Sequence, residues 1–508
     1  MYIKCNYFST SFYNLIKLYK RYERYFSFRL QLTLYPDQSI RNINSKKISM
    51  PGDIGDPWCD PKNPRILEFG RISEAAIRIA GGVVNTPVDD FPLEKDGMKI
   101  FVKKEIMQYT GSFKERGARF ALMMLSEEQK KIGVIAASAG NHAQALAYHG
   151  GLLGIPVTVV MPIIAPIMKV EKCKKYGANV ISYGANITES CIHANKIGKE
   201  KGFMYVNGYD HPDILAGQGT MGLEIMEQVP DLDAVVIPVG GGGMIAGVAK
   251  AIKTIKPDVQ IIGVQPERCQ GWIKAMEAGK PVLTSTEPSL ADGLNVPLVG
   301  VNAFATASPL IDRMVTVSED WIAIAILRLV EMEKAVVEGG GAAGIAAILA
   351  GLLPELAGKT IVIPLCGGNI DTTLLGRCLD KGLAAEGRLV RFSVIVSDRP
   401  GGIAELAGEL SELQVSIKDM QHERAWVKND VFSVECSLMV ETRNREHALE
   451  MFHKLRIKYP NGCVKVCEGS QFEQNLKPNL KDLHEDITEI TERLDEDREK
   501  PMNVDTKK

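Results

Sequence analysis

Short apolar runs alternate with helical patterns along most of the chain. Runs at 100–104, 133–137, 157–161, 179–183, 234–239 and 260–265 read as strands. Between them, apolar positions recurring every three to four residues predict helices at 116–130, 141–152, 166–176, 186–201, 244–255 and 271–278. Another helix begins near residue 72. Strands alternating with helices of this length imply βαβ units and a parallel sheet. Ligands of such sheets bind beyond the carboxyl ends of the strands, often at helix N-termini.

The pattern changes near residue 389. Strands at 389–396, 415–423, 431–441 and 463–466, with helices at 402–413 and 443–457, give the order β-α-β-β-α-β. That is the ferredoxin-like order of a separate α+β domain. Four segments follow: a basic extension and linker at 1–64, an α/β body at 65–385, a small domain at 389–467 and a charged tail at 468–508. In the tail, Leu476, Leu480, Leu483, Ile487, Ile490 and Leu494 are spaced to place one apolar stripe on a short helix.

Composition excludes several classes. With 508 residues, 45% apolar and 24% charged, the chain is not disordered, collagenous or fibrous. A net charge of −2 argues against a wholly basic, polyanion-binding surface, and no nucleic-acid partner is expected. That average conceals an uneven spread. Residues 1–50 carry nine Lys or Arg against two acids, a net +7. This leader reads either as a mitochondrial transit peptide or as an extension before Met50, itself a candidate start. The ten cysteines are scattered without a Cys-x-x-Cys pair, so no metal site is expected and the thiols read as reduced and intracellular. A cytoplasmic location follows, with the mitochondrion as the alternative raised by the leader. No membrane span is expected: Gly, Pro, Asn141 and His142 interrupt the uncharged stretch 132–168, and the run 339–353 is shorter than the ~20 residues a bilayer requires.

Three segments carry candidate chemistry. Gly240, Gly241, Gly242 and Gly243 follow one strand and open the helix at Met244. Consecutive N–H groups without Cβ atoms at a helix's positive end can wrap a phosphate. A close-packed glycine turn is the plainer alternative, and no Gly-Lys-Ser/Thr follows to make a Walker loop. Lys114, in Ser-Phe-Lys, stands just before a predicted helix. A cation is disfavoured there, which favours a neutral amine able to form a Schiff base. Ser138-Ala-Gly-Asn141-His142 lies between a strand and a helix, where backbone amides can hold a carboxylate. A lysine for an aldehyde, glycines for a phosphate and a polar loop for the substrate together point to pyridoxal 5'-phosphate.

The motifs at 111–118, 136–147 (AASAGNHAQALA), 216–222 (AGQGTMG), 238–247, 291–293 and 365–369 (LCGGN) make the chain resemble, over roughly 65–385, the fold-type II pyridoxal-phosphate enzymes of the serine/threonine dehydratase (threonine ammonia-lyase) family. Their fold is tryptophan synthase β-like, with parallel sheets flanked by helices. The resemblance implies that Lys114 carries the cofactor and later moves the substrate α-proton. Phe113 flanks the ring, and Asn141 meets its phenolic oxygen. Ser138 and neighbouring amides hold the substrate carboxylate. The amides of Gly240 to Gly243 and Met244 bind phosphate, Cys366 faces the pyridine nitrogen, and Glu338 lies near the cofactor. The implied reaction is β-elimination of water from L-threonine or L-serine, then hydrolysis to 2-oxobutanoate or pyruvate plus ammonia.

A neutral thiol at position 366 cannot protonate the ring as a carboxylic acid would. That favours expelling a β-hydroxyl over transamination. Related serine racemases usually have a second serine where Ala139 stands, and carboxylates near Gln265, Cys269 and Gly271. Dehydratase is therefore preferred to racemase, with a silent amino-acid sensor as a third reading. Residues 391–467 resemble an ACT regulatory domain whose first turn is 397–402. That implies a small-molecule effector and a homodimer or homotetramer.

Overall fold

The computed structural model describes residues 56–466, apart from 426, 428–430 and 461–462. The basic leader at 1–50 and the apolar stripe of the tail lie outside the described residues.

Two parallel arrays carry the α/β body. The larger contains β1 (Val88–Asp90), β2 (Lys99–Lys103), β7 (Ala234–Pro238), β8 (Gln260–Pro266), β9 (Arg313–Val317) and β10 (Thr360–Pro364), in the order β1-β2-β10-β7-β8-β9. All its pairings are parallel except β1 with β2. The smaller sheet orders β5 (Asn179–Ser182), β4 (Val157–Met161), β3 (Val134–Ala137) and β6 (Met204–Tyr205), all parallel. Every residue of β4 and β7 is buried. Strands covered on both faces need continuous apolar sequence, and this is why these runs do not alternate. Against the six-stranded sheet, the helix Pro212–Gln228 packs on Gly243–Ile255 and on Lys114–Met123, the helix that begins with the candidate lysine.

One expected element divides. The stretch 116–130 forms two helices, Lys114–Met123 and Glu127–Ile132. Ser126 starts the second through a capping box: its hydroxyl accepts from the Gln129 N–H (3.2 Å) while the Gln129 side-chain Oε1 accepts from the Ser126 N–H (2.9 Å). Two reciprocal bonds at one residue outweigh the continuity of the apolar stripe.

The small domain has β11 (Leu389–Ser397), the helix Gly402–Glu412, β12 (Ser416–Glu423), β13 (Ser433–Glu441), the helix Arg445–Lys458 and β14 (Val464–Val466). Its sheet is antiparallel, in the order β12-β13-β11-β14. Phe392 and Phe452 meet edge to face in its core, with ring centroids 5.3 Å apart. Arg388 bridges to Glu331 (2.7 Å) and Arg328 to Glu386 (2.6 Å), tying the junction between the domains. No helix among the described residues is long and apolar enough to cross a membrane.

Candidate active site

Four loops converge, each leaving the carboxyl end of a strand. The loop after β2 leads to Gly111–Lys114, and that after β10 leads to Cys366–Asn369. The loop after β7 holds Gly240–Gly243, and that after β3 holds Ser138–Asn141. Adjacent strands β2, β10 and β7 thus deliver three of the four motifs to one edge.

The first two loops are bonded to each other. Phe113 N–H donates to the Cys366 carbonyl (3.0 Å) and Gly368 N–H to that of Gly111 (2.9 Å). Lys114 is partly buried, its Nζ donating to the Gly208 carbonyl (2.6 Å) and lying 5.0 Å from the Phe113 ring centroid. Loss of water around the amine lowers its pKa to about 8, against the opposing pull of the Glu338 carboxylate. Burial is the main cause of the shift, rather than the helix end on which the sequence argument relied. Burial also pushes the Cys366 thiol far up, so it stays protonated.

Glu338 precedes the helix Gly339–Leu349 and its N–H donates to the Gly367 carbonyl (2.9 Å). Its Oε1 accepts from Asn141 Nδ2 (2.7 Å). Burial, and next the charge of Asp292, raises its pKa to about 7. A Cβ on Gly367 would fall 2.3 Å from this Oε1 and 2.9 Å from Asn141 Nδ2, so a larger residue would push the Glu338–Asn141 pair out of place. Asn369, quoted in the sequence motif but not singled out, joins them: its Nδ2 donates to the Thr110 carbonyl (2.7 Å) and to Asn141 Oδ1 (2.8 Å).

The glycine loop is shaped from behind. A Cβ on Gly241 would lie 2.3 Å from the Tyr209 ring, and one on Gly242 2.1 Å from Trp272. Gly242 also has φ +101°, a left-handed conformation that side chains resist. Among the described residues, the N–H groups of Gly240, Gly241 and Gly242 meet no protein acceptor. They stand at the positive end of the 13-residue helix Gly243–Ile255. Tyr209, against which Gly241 packs, follows Gly208, which receives the Lys114 amine, so the two regions are contiguous.

Ser138 differs in part from expectation. Its N–H is spent on the Val160 carbonyl (3.1 Å), extending β3, and its hydroxyl accepts from Gly140 N–H (3.2 Å). The Ser138 O–H and the N–H groups of Ala139 and Asn141, which meet no protein acceptor among the described residues, are the donors left for an anion. Gly208 was missed by sequence reasoning, because it lies in an aperiodic loop and acts through its carbonyl alone.

This donor set fits pyridoxal phosphate: free amides for the phosphate, a partly buried amine for the aldehyde, and an asparagine amide and a neutral thiol for the ring. Gly242→Ala is expected to weaken pyridoxal phosphate binding about tenfold or more, since backbone strain and a ring clash both displace the loop. Fluorescence titration of the apoprotein with cofactor checks this.

Comparison with known proteins agrees with the geometry. Residues 79–367 match the family model described as pyridoxal-phosphate dependent enzyme. Over 358 residues the chain is 42% identical to L-threonine ammonia-lyase of Thermotoga maritima, covering 70% of this chain and 89% of that protein. It is 40% identical to L-threonine ammonia-lyase of Geobacter sulfurreducens over 363 residues, covering 72% and 90%. Among solved structures, the processed form of threonine deaminase isoform 2 from Solanum lycopersicum aligns with TM-score 0.59 at 34% identity, covering 63% of this chain and 95% of that one. Maize serine racemase aligns with TM-score 0.58 at 34% identity, covering 63% and 98%. The donor set on these loops, the α/β architecture and these matches have one reading: the chain belongs to the fold-type II pyridoxal-phosphate-dependent enzymes.

Proposed function

We propose that the protein is an L-threonine/L-serine ammonia-lyase, releasing 2-oxobutanoate or pyruvate with ammonia. The observation that carries this reading is an intact lysine, glycine-loop, asparagine and thiol constellation in a chain 42% identical to an L-threonine ammonia-lyase. When bound, the cofactor holds the substrate nitrogen and takes up electron density as the Cα–H bond breaks. The chain's residues do the rest. Lys114, with a pKa of about 8, offers a neutral amine in useful proportion near neutral pH and takes the α-proton. Phe113 N–H anchors the Lys114 loop to the Cys366 carbonyl, and the Cys366 thiol gives the ring nitrogen a neutral neighbour. The Ser138 hydroxyl and the Ala139 and Asn141 amides orient the substrate carboxylate. Asn141, bridged to Glu338, presents its amide to the ring's phenolic oxygen.

Serine racemase is the second reading, because solved racemases align as well as the deaminase does. Two residues weigh against it. Ala139 bears no proton for the opposite face of Cα. The Gln265 side-chain oxygen, the atom a cation would need, is engaged, accepting from Trp272 N–H (3.1 Å) and Ile273 N–H (3.2 Å), while its Nε2 donates to the Val239 carbonyl (3.1 Å).

We also read the C-terminal module as an ACT-like sensor of a small effector in a homodimer or homotetramer. Its first turn supports this: Gly401 turns at φ +96° to start the helix Gly402–Glu412, and Asp398 pairs with Arg424 at 2.6 Å. Steady-state assays with pyridoxal phosphate are expected to give 2-oxo acid from L-threonine and L-serine, with isoleucine or valine altering the rate. D-serine as the main product of L-serine would reverse the choice between the two readings.

A further inference from the structure

A hydrogen-bond chain enters the site from a residue that none of the motifs contains. Lys172, on the helix Ile167–Lys175, donates from Nζ to Asn369 Oδ1 at 2.9 Å. An ammonium has donors and no acceptor, so it fixes which end of the Asn369 amide faces it. Asn369 Nδ2 must then point the other way, where it meets two oxygens: the Thr110 carbonyl (2.7 Å) and Asn141 Oδ1 (2.8 Å). Asn141 is thereby fixed in turn. Its oxygen is taken by Asn369, and its Nδ2 donates to Glu338 Oε1 (2.7 Å). An amide nitrogen carries two hydrogens, so one remains for a further acceptor.

An asparagine's two ends have nearly the same shape, so its partners decide which way it points: the Thr110 carbonyl, which can only accept, holds Nδ2, and Lys172 reinforces that orientation by donating to Oδ1. The Lys172 side chain is half-buried, and partial loss of water lowers its pKa while leaving it a donor.

We propose that Lys172 is a positioning residue that, together with the Thr110 carbonyl, holds Asn369 so that Asn141 offers an N–H to the cofactor's phenolic oxygen. The inference rests on the pyridoxal-phosphate reading of the site. Lys172 lies 58 residues beyond Lys114 in sequence, and its amine donates to Asn369 rather than to the cofactor-binding residues themselves.

Three substitutions separate its roles. In Lys172→Gln the side-chain amide still donates to Asn369 Oδ1 but the charge is gone. In Lys172→Met the length is kept and the donor is lost. Lys172→Glu places an acceptor there, which draws Asn369 Nδ2 outward and turns Asn369 Oδ1 against the Thr110 carbonyl. The half-buried surface position makes misfolding of the glutamine and methionine variants unexpected, and circular dichroism checks this.

The readouts are the dissociation constant for pyridoxal phosphate and the absorbance maximum of the bound cofactor, followed by kcat and KM for L-threonine. The glutamine variant is expected to match the parent in affinity and spectrum. The methionine variant should bind about three- to tenfold more weakly, the range for one lost hydrogen bond, and the glutamate variant more weakly still with a displaced maximum. kcat should fall in the same order with little change in KM. Parent-like affinity and spectrum in the methionine and glutamate variants would overturn the proposal, as would a glutamine variant as impaired as the glutamate one. A parent protein that binds no pyridoxal phosphate would instead overturn the functional reading itself.

Discussion

Alanine at position 114 is expected to abolish both turnover of L-threonine and the visible absorbance of bound cofactor. Both losses have one cause. In the proposed reaction the Lys114 amine is the nucleophile for the aldehyde and the base for the α-proton. Removing a positioned base alone costs on the order of 10²–10⁴-fold, and losing covalent attachment adds to it. The fold should survive, because the amine's hydrogen bond is a single one to the Gly208 carbonyl. Thermal melting of the apoprotein should therefore match the parent while the holo spectrum differs. A variant with full turnover would refute the assignment of this lysine.

Two residues further along the same helix, the expected effect is on stability. Arg116 is fully buried and donates through Nε (2.8 Å) and Nη2 (2.6 Å) to Glu105, and through Nη1 (2.6 Å) and Nη2 (2.7 Å) to Glu224. Lys103, also buried, completes the network from the other side of Glu224 at 2.5 Å. Arg116→Met keeps volume but leaves Glu105 without its cation, its carboxylate held only by Thr86 and Gln108. Breaking a buried pair this way costs about 3–5 kcal/mol. The cost depends on pH with a definite sign. In the parent, burial opposes ionisation of Glu105, but the Arg116 charge overrides it and holds the carboxyl below its ordinary range. That stabilisation is present above the unfolded pKa of about 4.3 and is lost as pH falls through the lower folded value. In the variant, an unpaired buried carboxyl prefers its proton. The stability gap in urea denaturation should thus be widest near neutral pH and narrow below about pH 4. A gap independent of pH would show that packing, not charge, is what Arg116 supplies.

The parts of the fold legible in sequence were those with strong local signals. The apolar runs of β3, β4, β7 and β8 announce strands because both faces are covered. The short β1 and β6, of three and two residues, carry no period to detect. The break between the helices at Met123 and Glu127 was readable in Ser126-Glu-Glu-Gln129, yet the apolar stripe running through it masked the cap. At the site, motif residues such as Lys114, Asn141 and the glycines stood out through type and neighbours. Gly208 and Lys172 did not. One acts through a backbone carbonyl, and the other through Asn369, 197 residues away, so no local pattern holds either contact.

Borohydride reduction of the holoenzyme, followed by peptide mass spectrometry, tests the central claim most directly, because it fixes the cofactor to whichever amine carries it. The pyridoxyl mass is expected on the peptide containing Lys114, at close to one per chain, with activity lost in proportion. Recovery of that mass on a different lysine, or active protein that acquires no such mass, would contradict the account.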